Sequence, residues 1–130
     1  MLRILLVEDR EDDIFMARRI IRKVREDAII SVARDSDEAI AFSMKGVPPV
    51  FDLVLLDIQL PGTDGFALLE QLRPDPAEAA FRVVFLTTSS SMNDRRRAAE
   101  LGADGYIVKP MDIRDFEQEM RNVIERLHPF

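Results

Sequence analysis

Short apolar runs alternate with amphipathic stretches along the whole chain. Residues 4–7, 29–33, 53–56, 83–86 and 106–108 read as strands. Most are unbroken Val, Ile and Leu runs, not apolar–polar alternations. Such runs suit strands buried on both faces, as in a parallel sheet covered by helices. The stretches between them read as helices over 11–26, 36–45, 65–72, 92–101 and 113–127. The first carries Ile14, Ala17, Ile20, Ile21 and Val24 at helical spacing, with Arg18, Arg19, Arg22, Lys23 and Arg25 over much of the rest. Asp35 and Glu38 resemble a capping box for the second. Phe66, Leu68, Leu69 and Leu72 mark the third. Ser90 or Ser91 can cap the fourth and Gly102 can stop it. Ile113, Phe116, Met120, Val123, Ile124 and Leu127 form one face of the fifth. Repeated strand–helix units imply an α/β fold with a five-stranded parallel sheet, right-handed crossovers and helices on both faces. The connections over 46–52 and 74–81 are longer, contain proline, and read as surface loops.

A chain of 130 residues fits one domain, and about two-thirds of its surface can be buried without staples. No cysteine is present, which excludes disulfides and thiolate metal sites and fits a reducing, cytoplasmic setting. No run approaches the roughly 20 apolar residues of a membrane span. The apolar start stops at Glu8, too soon for a secretory signal. Eighteen basic and 24 acidic residues give a net charge of −6, so no direct nucleic-acid partner is expected.

The chemistry gathers where apolar runs end. Glu8 and Asp9, Asp57, Thr87 and Lys109 each end a strand run. In an open parallel sheet, ligands bind outside the carboxyl ends of the strands. Three carboxylates close together repel and require a cation, and their hard oxygens suit Mg²⁺ or Mn²⁺. Lys109 supplies a second positive charge and Thr87 a hydroxyl. With Asp57 as nucleophile, this is a phosphoryl-transfer set, in which positioning and charge neutralisation dominate. Asp12 and Asp13 fall in a first helical turn, where acids favour the helix dipole, and are read as capping residues. Arg95, Arg96 and Arg97 read as a solvated face or as dimer partners of Asp115, Glu117 or Glu119. His128 reads as exposed and inert.

Four pieces, in order, resemble the receiver domain of two-component response regulators. They are Val7-Glu8-Asp9; Leu55-Leu56-Asp57-Ile58-Gln59-Leu60-Pro61-Gly62-Thr63-Asp64-Gly65; Leu86-Thr87-Thr88; and Gly102-Ala103-Asp104-Gly105-Tyr106-Ile107-Val108-Lys109-Pro110. The resemblance implies a flavodoxin-like receiver fold with strand order 2-1-3-4-5. It implies that Asp57 accepts a phosphoryl group from a phosphohistidine on a sensor histidine kinase. Asp9, Asp57 and the backbone carbonyl of Gln59 would hold Mg²⁺, with Glu8 acting through water. Lys109 would bind a phosphoryl oxygen. Thr87 would turn inward and Tyr106 would follow, reshaping the face made by the fourth helix, fifth strand and fifth helix. That face is also the one through which a homodimer would form, and the resemblance implies a cis Lys109–Pro110 bond. Residues 1–130 would then be a single receiver domain with no output domain, and a signalling module, not an enzyme.

Thr88 departs from the small residue usual in that family, and its bulk would shield the phosphoryl group. Gln59 and Ser89 occupy positions that tune phosphate lifetime there. A narrower resemblance, in Leu86-Thr87-Thr88-Ser89-Ser90, Arg73-Pro74-Asp75-Pro76, Asp12 and Asp13, is to small response regulators paired with phytochromes. It implies a bacteriophytochrome kinase as partner. The competing readings are an aspartate-nucleophile phosphatase, for which Gln59 stands where a second acid is needed, a phosphorelay intermediate, and a nucleotide or cobalamin binder, which lacks its glycine-rich loop.

Overall fold

The computed structural model describes residues 1–43, 51–74, 81–109 and 112–128. The expected end of the second helix, most of both proline-bearing loops and the Lys109–Pro110 bond lie outside the described residues. The elements run β1 (Leu2–Val7), α1 (Glu11–Val24), β2 (Ala28–Ala33), α2 (Ser36–Ser43), β3 (Leu53–Leu56), β4 (Gln59–Leu60), β5 (Thr63–Asp64), α3 (Gly65–Leu72), β6 (Arg82–Thr87), α4 (Met92–Glu100), β7 (Gly105–Val108) and α5 (Ile113–Leu127). The five main strands form one sheet in the order β2-β1-β3-β6-β7. Every neighbouring pair is parallel. Counting main strands alone, this is the expected 2-1-3-4-5 order.

The sheet has a core on each face, which is why its strands read as unbroken apolar runs. Along β1, Leu2, Ile4 and Leu6 pack into one core with Ile14, Ile21, Phe116, Met120 and Ile124 of α1 and α5. Leu5 and Val7 pack into the other, with Ala39 of α2, Phe66, Leu68 and Leu69 of α3 and Ala98 of α4. The edge strand β2 departs from this rule: it pairs with β1 on one side only, and Ile29 is 52% exposed.

The helix limits have local causes. Helix α1 stops two residues short of expectation, where Arg25 turns to φ −142° while its amide still bonds the Ile21 carbonyl. Ser91 caps α4, its hydroxyl accepting from the Asp94 amide, and Gly102 leaves the helix at φ +81°. Asp35 Oδ1 accepts from the Glu38 amide at 2.8 Å. The short antiparallel pair β4–β5 encloses the Pro61–Gly62 turn, with Gly62 at φ +79°. Two residues per strand are too few to show a periodicity.

A partly buried ion pair secures the end of the sheet away from the expected site. Arg73, 6% exposed, reaches Asp104 at 3.3 Å and the Gly102 carbonyl at 2.5 Å. Asp104 also accepts from the Val83 amide at 2.8 Å. His128 is partly buried, contrary to its expected exposure, and burial lowers its pKa from the ordinary value.

Candidate functional site

Strand register puts the chemical groups level with one another. Val7 pairs with Leu56, and Thr87 with Val108, so Glu8, Asp57 and Lys109 each stand one residue beyond a paired tip. Backbone bonds extend the sheet through those residues. The Glu8 amide donates to the Ala33 carbonyl at 2.9 Å, Asp57 to Val7 at 3.3 Å, and Lys109 to Thr87 at 2.6 Å. The backbone at the site is therefore held as firmly as the sheet.

Four polar residues there are buried: Glu8 is 2% exposed, Asp57 7%, Thr87 0% and Lys109 6%. The Lys109 ammonium donates to a Glu8 carboxylate oxygen, to Asp13 Oδ2 at 3.1 Å and to Asp57 Oδ2 at 3.3 Å. The second Glu8 oxygen accepts from the amides of Asp9 at 3.0 Å and Arg10 at 3.4 Å. Asp57 Oδ1 accepts from the Gln59 amide at 3.1 Å.

Charge balance explains the acidities. Burial, the largest influence, pushes the Glu8 carboxyl up to about 7, against the pull of Lys109. Burial opposes the Lys109 charge as well, but Glu8 and then Asp57 outweigh it and hold that pKa above its ordinary value. The two directions agree, because one ammonium faces three carboxyl groups. The ammonium is over-stabilised while the most buried acid lacks sufficient positive charge.

A cavity of about 570 Å³ opens beside Asp57, lined in part by Asp9, Asp13, Gln59, Thr63 and Thr88. Asp9 and Gln59 are exposed on it, and Thr88, also exposed, stands on its wall. Among the described residues, no three acidic or histidine side chains enclose a metal position. The Glu8 carboxylate is turned instead onto Lys109 and the backbone. Carboxylate oxygens from Asp9 and Asp57, with the Gln59 backbone alongside, remain a hard-donor set that fits a partly hydrated divalent cation.

Asp13 corrects the sequence reading. Helix α1 has Arg10 at its N-cap with no side-chain cap bond, and the Asp13 carboxylate turns to Lys109. Asp12 stays exposed, 3.7 Å from Arg10.

Thr87 and Tyr106 come together through Ser89. The Thr87 hydroxyl accepts from the Ser89 amide at 3.3 Å, and the Tyr106 hydroxyl donates to the Ser89 carbonyl at 2.9 Å. The Ser89 hydroxyl donates to Asp94 Oδ2 at 2.5 Å. Burial raises the Tyr106 pKa above its ordinary value. Arg95 lies over the Tyr106 ring, 4.8 Å from its centroid, and Arg97 over Phe66 at 4.6 Å. Glu117 already pairs with Lys23 at 2.9 Å. Two of the three arginines and one of the acids proposed for a dimer contact are thus engaged within their own chain. Sequence reasoning also missed Gly65, where a Cβ would stand 2.2 Å from the Asp57 carbonyl oxygen.

The response regulator receiver domain family matches residues 4–121. The transcriptional regulatory protein ResD of Bacillus subtilis (strain 168) is 36% identical over 117 residues, covering 88% of this chain and 46% of ResD. The chain spans about half or less of the length of the curated relatives it matches. Among solved structures, the phosphorylated cyanobacterial phytochrome response regulator RcpA superposes with a TM-score of 0.82 at 28% identity, covering 97% of this chain and 93% of RcpA. The Mn(2+)-bound form of response regulator Rcp1 gives a TM-score of 0.79 at 29% identity, covering 100% of this chain and 97% of Rcp1. The fold is the flavodoxin-like receiver fold. No described helix is long and apolar enough to cross a membrane. With its match across the sheet and every strand tip of the site, the chain belongs to the response regulator receiver domain family.

Proposed function

We propose that Asp57 is a phosphoryl acceptor, charged by a sensor histidine kinase in the cytoplasm. The observation that carries this reading is a buried carboxylate that opens on a cavity and has an ammonium 3.3 Å away. An Asp57 oxygen attacks phosphorus, the bond to the histidine nitrogen breaks, and the imidazole leaves with the electron pair. The product is an acyl phosphate on Asp57. Lys109 passes from the Asp57 carboxylate to a phosphoryl oxygen, and Thr87 turns its hydroxyl toward the same group.

Asp9, Asp57 and the Gln59 carbonyl would hold a divalent cation, Mg²⁺ or Mn²⁺, to which Glu8 would contribute through water. When bound, that ion neutralises charge on the transferring group. The excess of carboxyl groups over ammonium supports this assignment.

Output runs through α4, β7 and α5. A shift of Thr87 pulls on the Ser89 amide, and Ser89 is bonded to both Tyr106 and α4. Met92 and Ile113, both exposed near the starts of α4 and α5, suit a partner or a second copy on that face. The likeness to RcpA supports a phytochrome-type kinase as partner. Residues 1–130 act as one receiver unit, a phospho-acceptor module and not a turnover enzyme.

Intact-mass measurement after incubation with Mg²⁺ and phosphoramidate tests the reading. The wild type should gain one phosphoryl group and Asp57→Asn none. No adduct from small-molecule donors or from any histidine kinase would overturn it.

A further inference from the structure

An ammonium has three N–H donors. In this protein all three are taken by carboxylates, from Glu8, Asp13 and Asp57. Two of these partners belong to the proposed chemistry. Asp57 exchanges its free carboxylate for a phosphoryl group, and Glu8 is drawn toward the cation. Asp13 belongs to neither event. It sits in the first turn of α1, 96 positions from Lys109 along the chain, yet its carboxylate crosses to the ammonium at 3.1 Å. Capping does not explain that direction, because the carboxylate accepts no described backbone amide of its own helix turn while Arg10 occupies the N-cap. Arg10 also lies 3.7 Å from Asp13 Oδ2, so Asp13 keeps a second positive neighbour on its solvent side.

We propose that Asp13 is a positioning residue that tethers the Lys109 ammonium while its other two partners change during phosphorylation. Lysine is a point charge on a flexible four-carbon stem with no preferred fork geometry. Once Asp57 is modified and Glu8 turns away, only a partner outside the chemistry keeps that charge aimed at the phosphoryl oxygen. A rigid helix start next to the site supplies it. Without Asp13 the ammonium keeps no fixed carboxylate partner through the transfer, and the transferring group loses its charge clamp. This inference rests on the reading of Asp57 as acceptor and Lys109 as its phosphoryl ligand.

The test is a double-mutant cycle on the rate of phosphoryl uptake from phosphoramidate at saturating Mg²⁺, read by intact mass. The four proteins are wild type, Asp13→Asn, Lys109→Met and the double variant, with circular dichroism as the folding check. Asp13→Asn keeps a polar residue in an accessible helix turn. It should slow uptake by about five- to tenfold, in the range expected for coupled charged neighbours. In the Lys109→Met background it should change the rate by less than about twofold. Asp13→Glu keeps a carboxylate on the same helix turn and should restore most of the loss, while the comparison with and without Lys109 separates the tether from a helix-dipole effect. Calorimetric Mg²⁺ affinity should fall far less in Asp13→Asn than in Asp9→Ala. An unchanged rate in Asp13→Asn overturns the proposal. So does an equal loss with and without Lys109, which would mean that Asp13 acts on the cation or through its field. Should Lys109→Met fail to fold, Lys109→Gln takes its place in the cycle, and the same dependence on Lys109 decides. If the wild type takes up no phosphoryl group at all, the acceptor reading fails first and the tether with it.

Discussion

The Tyr106 hydroxyl and the buried Thr87 hydroxyl both bond the backbone of one residue, Ser89, at 2.9 and 3.3 Å. The two side chains stand on neighbouring strands, and the peptide between them starts the loop into α4. Ser89 thus links the Thr87 hydroxyl to the Tyr106 hydroxyl through its backbone. The Ser89 hydroxyl adds a third link, to Asp94 in the first turn of α4.

Ser89→Ala removes the bond to Asp94 while both backbone bonds stay. It should cost about 1.5–3 kcal/mol in urea unfolding, the range for a hydrogen bond to a charged group. Tyr106→Phe should cost about 1 kcal/mol, leave phosphoryl uptake within about twofold and weaken the response of α4 to phosphorylation. Amide chemical shifts of residues 92–100, compared with and without beryllofluoride, check this.

The Glu8 carboxyl stands at about 7 against an ordinary 4.5. Between those values the folded chain keeps a proton that the unfolded chain has released. Glu8 therefore makes the metal-free fold less stable as pH rises across that window. Glu8→Gln cannot ionise, so its stability relative to wild type should increase between about pH 5 and about pH 7.5 in urea titrations without metal. A gap between the two proteins that stays constant with pH would contradict the assigned acidity.

Saturating Mg²⁺ should stabilise the wild type, by about 2.7 kcal/mol at a hundred times its Kd. The gain should largely vanish in Asp9→Ala. Thermal unfolding with Mg²⁺ and with a chelator checks both.

Gly65 and Gly62 separate two kinds of glycine. At Gly65 a Cβ would meet the Asp57 carbonyl oxygen at 2.2 Å and Ile58 Cα at 2.9 Å, both backbone atoms. Gly65→Ala must displace the peptide that carries the acceptor, costing roughly 1–3 kcal/mol and slowing phosphoryl uptake. At Gly62 nothing lies within 4 Å, but φ is +79°. Gly62→Ala should cost roughly 1–2 kcal/mol in turn strain and leave the uptake rate near that of wild type.

Much of this was legible in the chain because each main strand meets two cores. Leu53 and Leu55 face one core and Val54 and Leu56 the other, so the run is apolar throughout and ends sharply at Asp57. The same sharp ends at Glu8, Thr87 and Lys109 exposed the site. Edge strand β2 broke the pattern because burial depends on neighbours, which a local run does not encode. Asp13 was hidden for a related reason. An acid in a first helical turn looks the same whether it serves the helix or a lysine 96 positions away. Gly65 and Ser89 matter through backbone contacts made only once the sheet is assembled.

Borohydride reduction of the phosphorylated protein, followed by peptide mapping, tests the central claim most directly. The hydride converts an acyl phosphate on an aspartate to homoserine and so marks the acceptor. With Mg²⁺ and phosphoramidate, homoserine should appear at position 57, and it should be absent when a chelator replaces Mg²⁺. Homoserine at position 9 or 13 instead, or none at all in a sample that carries phosphate, would contradict the assignment of Asp57.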